Sequence, residues 1–369
     1  MFLLILSLMG CPPPVVDDTA VTTNDTGDSD TGSSDDTGST DDTGTGDADA
    51  SDGSDTGISD ASDTAVPDAA PPWTGPDLLS ETGLYSDFDA RTLAEGVTIF
   101  APRWPLYSDG SEKNRYLLLP PGTTIDTSDA DAWVFPDGTR AWKDFRRDGV
   151  LVETRFLEKT GEGDFGWRYV AYVWDVGETE AVATPEGLVD ALGTPHDVPD
   201  QADCLNCHRG GSGFLLGVSA LQLGDVGGLL ETLVGDGWLS DAPPPAADLE
   251  APGTPEIADV LGYLHANCGH CHNDRHPLSF MRSMRLNLPI GVATPEETPT
   301  YRTAIGTPAD HEIEGTFINV DPGMPARSQL WVRMGLLDPD LRMPQVGTEL
   351  PDAIGVPMIE AWILGLPTP

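Results

Sequence analysis

Basic side chains are scarce in this chain of 369 residues: 19 Lys and Arg stand against 61 Asp and Glu, a net charge of −42. A surface so acidic repels phosphate backbones, which excludes nucleic acid and points to protein partners with basic docking faces. Long apolar runs are missing as well. The run at 1–10, Met-Phe-Leu-Leu-Ile-Leu-Ser-Leu-Met-Gly, is too short to span a bilayer and has no Lys or Arg before it. Cysteine is rare: there are five, and once two Cys-x-x-Cys pairs are set aside only Cys11 remains, so no disulfide framework is expected.

What is present falls into a sequence of unlike stretches. Residues 1–10 suit a short signal-peptide apolar region, and Leu8-Met-Gly-Cys11 resembles a bacterial lipoprotein box, in which Cys11 is lipidated and becomes the mature N-terminus. Several acyl chains hold a protein firmly at a membrane surface. Residues 12–72 are Asp, Thr, Ser, Gly, Ala and Pro, with repeats such as Asp25-Thr-Gly and Asp42-Thr-Gly. Too little apolar surface is available there to offset ordering entropy, so a disordered, self-repelling tether is expected. No calcium loop with its terminal Glu settles out of the repeats. The sixteen Asp of this stretch come without Lys or Arg and leave about −26 on the remainder.

Residues 73–198 read as a β-rich domain. Short aromatic and β-branched runs at 115–119, 133–135, 150–157 and 166–174 are punctuated by Asp-Gly and Pro-Gly turns, which favours a β-sandwich or small barrel over βαβ units. Lys113, Arg115, Arg140, Lys143, Arg146, Arg147, Arg155 and Arg168 lie here. They are expected on solvated strand faces paired with carboxylates, the other reading being a cradle for an anion. Trp104, Trp133, Trp142 and Trp167 are expected in the core, although aromatic residues also suit sugar stacking.

The chemistry lies downstream, in Cys204-Leu-Asn-Cys207-His208 and Cys268-Gly-His-Cys271-His272. Two thiols three positions apart can add to the two vinyl groups of one haem, and the following imidazole then sits under the iron as its proximal ligand. Two covalent haem c groups are therefore expected, on Cys204, Cys207 and His208 and on Cys268, Cys271 and His272. A zinc site would need the two pairs to converge on one ion, and a thioredoxin-like dithiol would need a βαβ setting. Haem c is attached outside the bacterial cytoplasm, so export is implied a second time.

The first motif opens a segment at 199–245, followed by Arg209-Gly-Gly-Ser-Gly213, a run that lets backbone approach a bulky group, and by apolar stretches at 214–223 and 229–239 that read as two short helices. After a Pro-rich spacer, Thr254 as N-cap, Pro255 and Glu256 open a helix that aligns Ile257, Leu261, Leu264 and Cys268 and delivers the second motif at its C-terminal end. In the 246–369 domain, Met343 precedes a terminal helix with Met358, Ile359, Trp362 and Ile363. A thioether is a soft iron ligand, so Met343 is expected to pair with His272. No Met occurs between His208 and Met281. The sixth ligand of the first iron is left among His196, His265, Met281, Met284 or none, with His270 and His276 as neighbours of the second site.

These strings resemble a family of exported dihaem c-type cytochromes that join an N-terminal β-rich domain to a cytochrome c domain. The matching stretches are 105–110, 135–139 with Lys143 and Phe145, 153–155, 172–174, 204–208 with Leu216-Gly217 and Gln222-Leu223, 263–272, Met343-Pro344 and Trp362-Ile363. The resemblance implies haem c twice and an electron-transfer role, and brings no substrate with it. The expected architecture is multidomain α+β: tether, β-sandwich-like domain, then a mainly α-helical cytochrome c region. The expected function is single-electron relay at the cell envelope, in the periplasm or at the outer membrane, by a protein that is more a carrier than an enzyme. Two alternatives stand beside it: a peroxidase-like enzyme with an open first iron, and an electron outlet whose β domain binds a dehydrogenase or a carbohydrate.

Overall fold

The computed structural model describes residues 72–163, 166–211, 213–224 and 228–368, and all of these belong to one compact unit. The signal at 1–11 with Cys11, and all of the 12–72 tether but its last residue, lie outside them. The segments expected as separate domains at 73–198, 199–245 and 246–369 therefore share one unit.

A short ribbon, β1 (Tyr85–Asp87) and β2 (Thr92–Leu93), precedes a six-stranded sheet. The sheet runs β3 (Thr98–Phe100), β4 (Glu112–Leu118), β5 (Arg140–Arg147), β6 (Val150–Lys159), β7 (Trp167–Trp174) and β8 (Ala181–Ala183), each antiparallel to its neighbour in chain order. It is an open meander where a sandwich was expected: among the described residues no second large sheet lies against it. Strand β5 was not expected, because Arg-Ala-Trp-Lys-Asp-Phe-Arg-Arg carries five charges in eight residues. The stretch at 133–135 is not a strand either, making only a bridge from Val134 to Asp126.

The period of two explains how so charged a strand sits mid-sheet. One face carries Tyr116, Trp142 and Phe156 in register, then Tyr172 and Trp174, buried under Leu79 and Leu84 of the entering chain. The other face carries Leu117, Ala141, Leu157 and Tyr169 in register and packs on Leu205, Phe214 and Leu215. Next to that apolar row, on the same face, runs a cross-strand row of Arg115, Lys143, Arg155 and Ala171. Outward-facing cations do pair as expected: Arg140 and Arg168 share Glu158, and Arg146 meets Glu178. The inward row does not conform, and it fixes the site described below.

The helical part comprises α1 (Gln201–His208), α2 (Ala220–Leu223), α3 (Leu229–Gly235), α4 (Pro255–Asn267), α5 (Pro299–Ala304), α6 (Gln329–Gly335) and α7 (Gly355–Gly365), with a hairpin of β9 (Pro308–Ile313) and β10 (Thr316–Ile318) between α5 and α6. The apolar stretches after the first motif are less helical than expected: Phe214 takes φ 67° and only α2 and α3 remain. Helix α4 begins at Pro255 and buries Leu261 and Leu264, as its spacing predicts. Val260, Leu264, Leu286, Leu330, Ile359, Trp362 and Ile363 form its core with α6 and α7. Gly262 carries Trp104 on its bare Cα: a Cβ there would lie 1.9 Å from the indole, so the sheet side and α4 are locked together. No helix among the described residues is long and apolar enough to cross a membrane.

Candidate functional site

Helix α1 is opened by Asp200, whose carboxylate accepts from Asp203 N at 2.8 Å, and one helical turn separates Cys204 from Cys207 and His208. His208 donates from Nδ1 to the Phe214 carbonyl at 2.6 Å, with its ring against the Phe214 ring. That bond fixes the imidazole and leaves Nε2 as the nitrogen open to a ligand. The second motif repeats the arrangement at the end of α4: His272 Nδ1 meets the Met284 carbonyl at 3.3 Å. Burial pushes both His208 and His272 down to about 4, so both imidazoles are neutral near pH 7, the form that binds iron.

Two cavities adjoin the motifs, and Cys207 lines both. The first is lined by Cys204, Cys207 and His208 and by Arg115, Lys143 and Arg155 of the sheet. The second is lined by Cys268, Cys271 and His272 together with Leu330, Met334 and Met343. The expected pairing of His272 with Met343 thus falls on a single cavity. Met343 is held by its N–H, which donates to the Arg333 carbonyl of α6 at 3.0 Å.

The two motifs meet. Cys207 and Cys271 line one cavity, and their proximity pushes the Cys207 thiol up and holds Cys271 down. Burial pushes the other two thiols, Cys204 and Cys268, up to about 12. Cys271 Sγ also lies 3.8 Å from the Asn206 carbonyl, which accepts from His276 Nε2 at 3.2 Å when that nitrogen carries the proton. Asn273 donates to the carbonyls of Gly210 and Gly269 and so ties the loop after α1 to the second motif. The glycine run after His208 serves this junction. A Cβ on Gly210 would fall 2.3 Å from the His270 carbonyl oxygen and 2.5 Å from the His276 ring. Gly210→Ala is expected to lower stability by roughly 1–3 kcal/mol through overpacking, measured by denaturant titration, whereas Gly235→Ala, with open space around it and no positive φ, serves as the control for glycine replacement without a clash.

The candidates for a sixth ligand at the first motif lie elsewhere. His196 has both nitrogens engaged, Nε2 with Glu153 at 2.8 Å and Nδ1 with Ser111 Oγ at 3.2 Å. His265 Nδ1 accepts from Leu288 N, and the residue lines a different cavity with Gly210 and Asn273. Met281 is 57% exposed, and Met284 lines the second cavity. Two residues expected mainly on solvated strand faces, with an anion cradle as the other reading, do line the first: Arg115, whose Nη2 is buried without a hydrogen-bond partner among the described residues, and Lys143. The signal that could have found them is positional, since both sit on the parity of Leu117 and Ala141, which the core claims. His270 sits between the cavities, lining both, and bonds to Cys207.

Of the four indoles expected in the core, Trp133 and Trp142 at 1% and Trp167 at 3% exposure are closed off, while Trp104 is half-buried and lines the first cavity. One thiol from each pair converges, yet among the described residues no three His, Cys, Asp or Glu side chains are arranged to hold an ion, as a structural zinc would require. No family model, curated protein or solved structure matches the chain.

Proposed function

We propose that this chain is an exported, lipid-anchored dihaem c-type cytochrome that relays single electrons at the cell envelope. The observation that carries the reading is that the two Cys-x-x-Cys-His segments come together at a cavity lined by both Cys207 and Cys271, each segment with its own oriented imidazole. Haem c, when bound, supplies a one-electron centre buried in protein.

The chain's own residues then divide the work. Cys204 and Cys207 hold one group covalently, and Cys268 and Cys271 hold the other. Phe214 and Met284 orient His208 and His272 through their carbonyls. Met343 caps the second site with a thioether that raises its potential relative to two imidazoles. Arg115 and Arg155 supply positive charge to the first cavity, where haem propionates need it. No acid or base residue is required for electron relay. The net charge of about −26 outside the tether suits a redox partner with a basic docking face, and Cys11 with residues 12–72 serves as membrane anchor and spacer.

A second reading, an open first iron that reduces peroxide or a similar small oxidant, draws on the absence of His196, His265, Met281 and Met284 from the first cavity. The relay reading is tested by expressing the full chain in a host competent for haem c attachment and weighing it. Two covalent haems per chain are expected, falling to one in the Cys204→Ala, Cys207→Ala double variant. A chain that matures without haem, or binds zinc at its thiols, overturns the reading.

A further inference from the structure

The wall facing α1 in the first cavity is one face of the central sheet, and Lys143 stands in the middle of it, flanked in register by Arg115 on β4 and Arg155 on β6. The chain has only three lysines, and this one is half-buried with its residual exposure toward the cavity. Arg155 is matched by Glu153. Lys143 Nζ makes no hydrogen bond or ion pair with any described residue; its one recorded contact is the face of the Phe145 ring, 4.7 Å from the centroid. None of the described carboxylates forms an ion pair with this amine; Glu153, matched to Arg155, acts on it only at longer range.

Most other cavity groups with a lone pair are otherwise committed. Asn267 Oδ1 accepts from Tyr107 N at 2.6 Å and Gln222 Oε1 from Trp104 N at 3.1 Å. The Tyr107 hydroxyl donates to the Pro351 carbonyl at 3.4 Å. Asp203 lies on α1 beside Cys204, on the same element as His208. Ser108 Oγ and His270 Nδ1 are buried without a hydrogen-bond partner among the described residues; a neutral hydroxyl is a weaker donor to iron than an amine, and His270 sits inside the second motif, between Cys268 and Cys271.

Arg115 and Lys143 differ in one respect that matters. A guanidinium keeps its proton in proteins and can only pair with an anion, whereas an amine can shed its proton and offer a lone pair. Burial, then Arg115, Lys113 and Arg155 in turn, push Lys143 well below its ordinary value. Lys143 and His208 line the same cavity.

We infer that Lys143 Nζ is the sixth ligand of the iron carried by Cys204, Cys207 and His208, and that Arg115 beside it pairs with a carboxylate of the same haem. The assignment rests on the haem reading of the first motif. Ligation costs the amine one proton, released to solvent, and places its lone pair on the metal; no electron changes hands. The first site is then closed, like the second, and differs from it in carrying a hard nitrogen where the other carries sulfur.

The test compares the full-length holoprotein with Lys143→Arg, which keeps the charge and loses the lone pair, and Lys143→Met, which loses the charge and offers a thioether. Haem content by mass is measured first, so that a failure of attachment is seen as such. With two haems present, the oxidised protein is expected to be wholly low-spin by EPR and inert to carbon monoxide when reduced. Lys143→Arg is expected to turn one haem of the two high-spin and open it to carbon monoxide. Lys143→Met is expected to return a near-infrared charge-transfer band of the imidazole–thioether kind for both haems. Should Lys143→Arg not fold, the near-infrared band of the native protein decides alone, since an amine–imidazole pair absorbs apart from imidazole–thioether and bis-imidazole pairs. Two haems with an unchanged low-spin spectrum in Lys143→Arg, or a high-spin haem in the native protein, overturns the assignment and leaves the dihaem reading standing. Fewer than two haems overturns both.

Discussion

Replacement of Glu153 by Ala should cost about 3–5 kcal/mol of folding free energy, the penalty for removing one partner of a buried charge pair. Glu153 has no solvent exposure and binds two cationic or basic groups through one oxygen: Oε1 lies 2.6 Å from Arg155 Nη2 and 2.8 Å from His196 Nε2. Its removal leaves the Arg155 guanidinium behind at the cavity wall. Urea titration of Glu153→Ala against the native chain measures the loss, and a change within experimental error of zero refutes the account. The same group sets an acid limit. Burial raises the Glu153 carboxyl, but Arg155 and the bond to His196 outweigh it and the net shift is downward. A depressed folded value means that the stabilisation is present above the unfolded value, about 4.3, and drains away as the pH falls through the folded one. Stability measured between pH 7 and pH 3 should therefore fall more steeply for the native chain than for Glu153→Gln.

Met343→Ala should produce the largest change in redox behaviour. The side chain lines the same cavity as His272, and on the dihaem reading its loss opens that iron. Carbon monoxide should then bind to one haem of two in the reduced protein, and the upper of the two midpoint potentials should fall, since a thioether favours the reduced metal. The expected signature is selective: the spectrum of the first site stays as it was. A variant that remains low-spin and inert at both sites shows that Met343 is core packing. Met343→His is the informative companion, because it keeps the site closed while exchanging sulfur for nitrogen.

The local signals in the sequence were strong where chemistry or capping dictated them. Cys204, Cys207 and His208 are spaced by a helical turn and occur on α1; Thr254, Pro255 and Glu256 mark a helix start and α4 begins there. Met343 falls on the cavity of His272, 71 residues away in sequence. What the sequence hid is tertiary. Nothing in Arg-Ala-Trp-Lys-Asp-Phe-Arg-Arg separates a strand whose lysine faces solvent from one whose lysine faces a cavity, because the period of two fixes which residues share a face and leaves open what covers it. His196 stands among the candidate sixth ligands in the sequence, whereas in the fold Glu153, 43 residues earlier, is bonded to it. The β-rich segment was legible as strands, while its closure into an open meander depends on α1 and the entering chain covering the two faces in place of a second sheet.

The contact between Cys207 and Cys271 has a consequence for how the molecule is made. Thiolates attack and thiols do not, and in the folded chain Cys204 and Cys268 are held in the protonated form well above neutral pH. Cys207 is pushed up as well, whereas Cys271 is held down and so keeps the most thiolate character of the four. Three of the four sulfurs are thus less reactive in the finished fold than in the open chain, which favours covalent modification while the loop after α1 and the end of α4 are still apart.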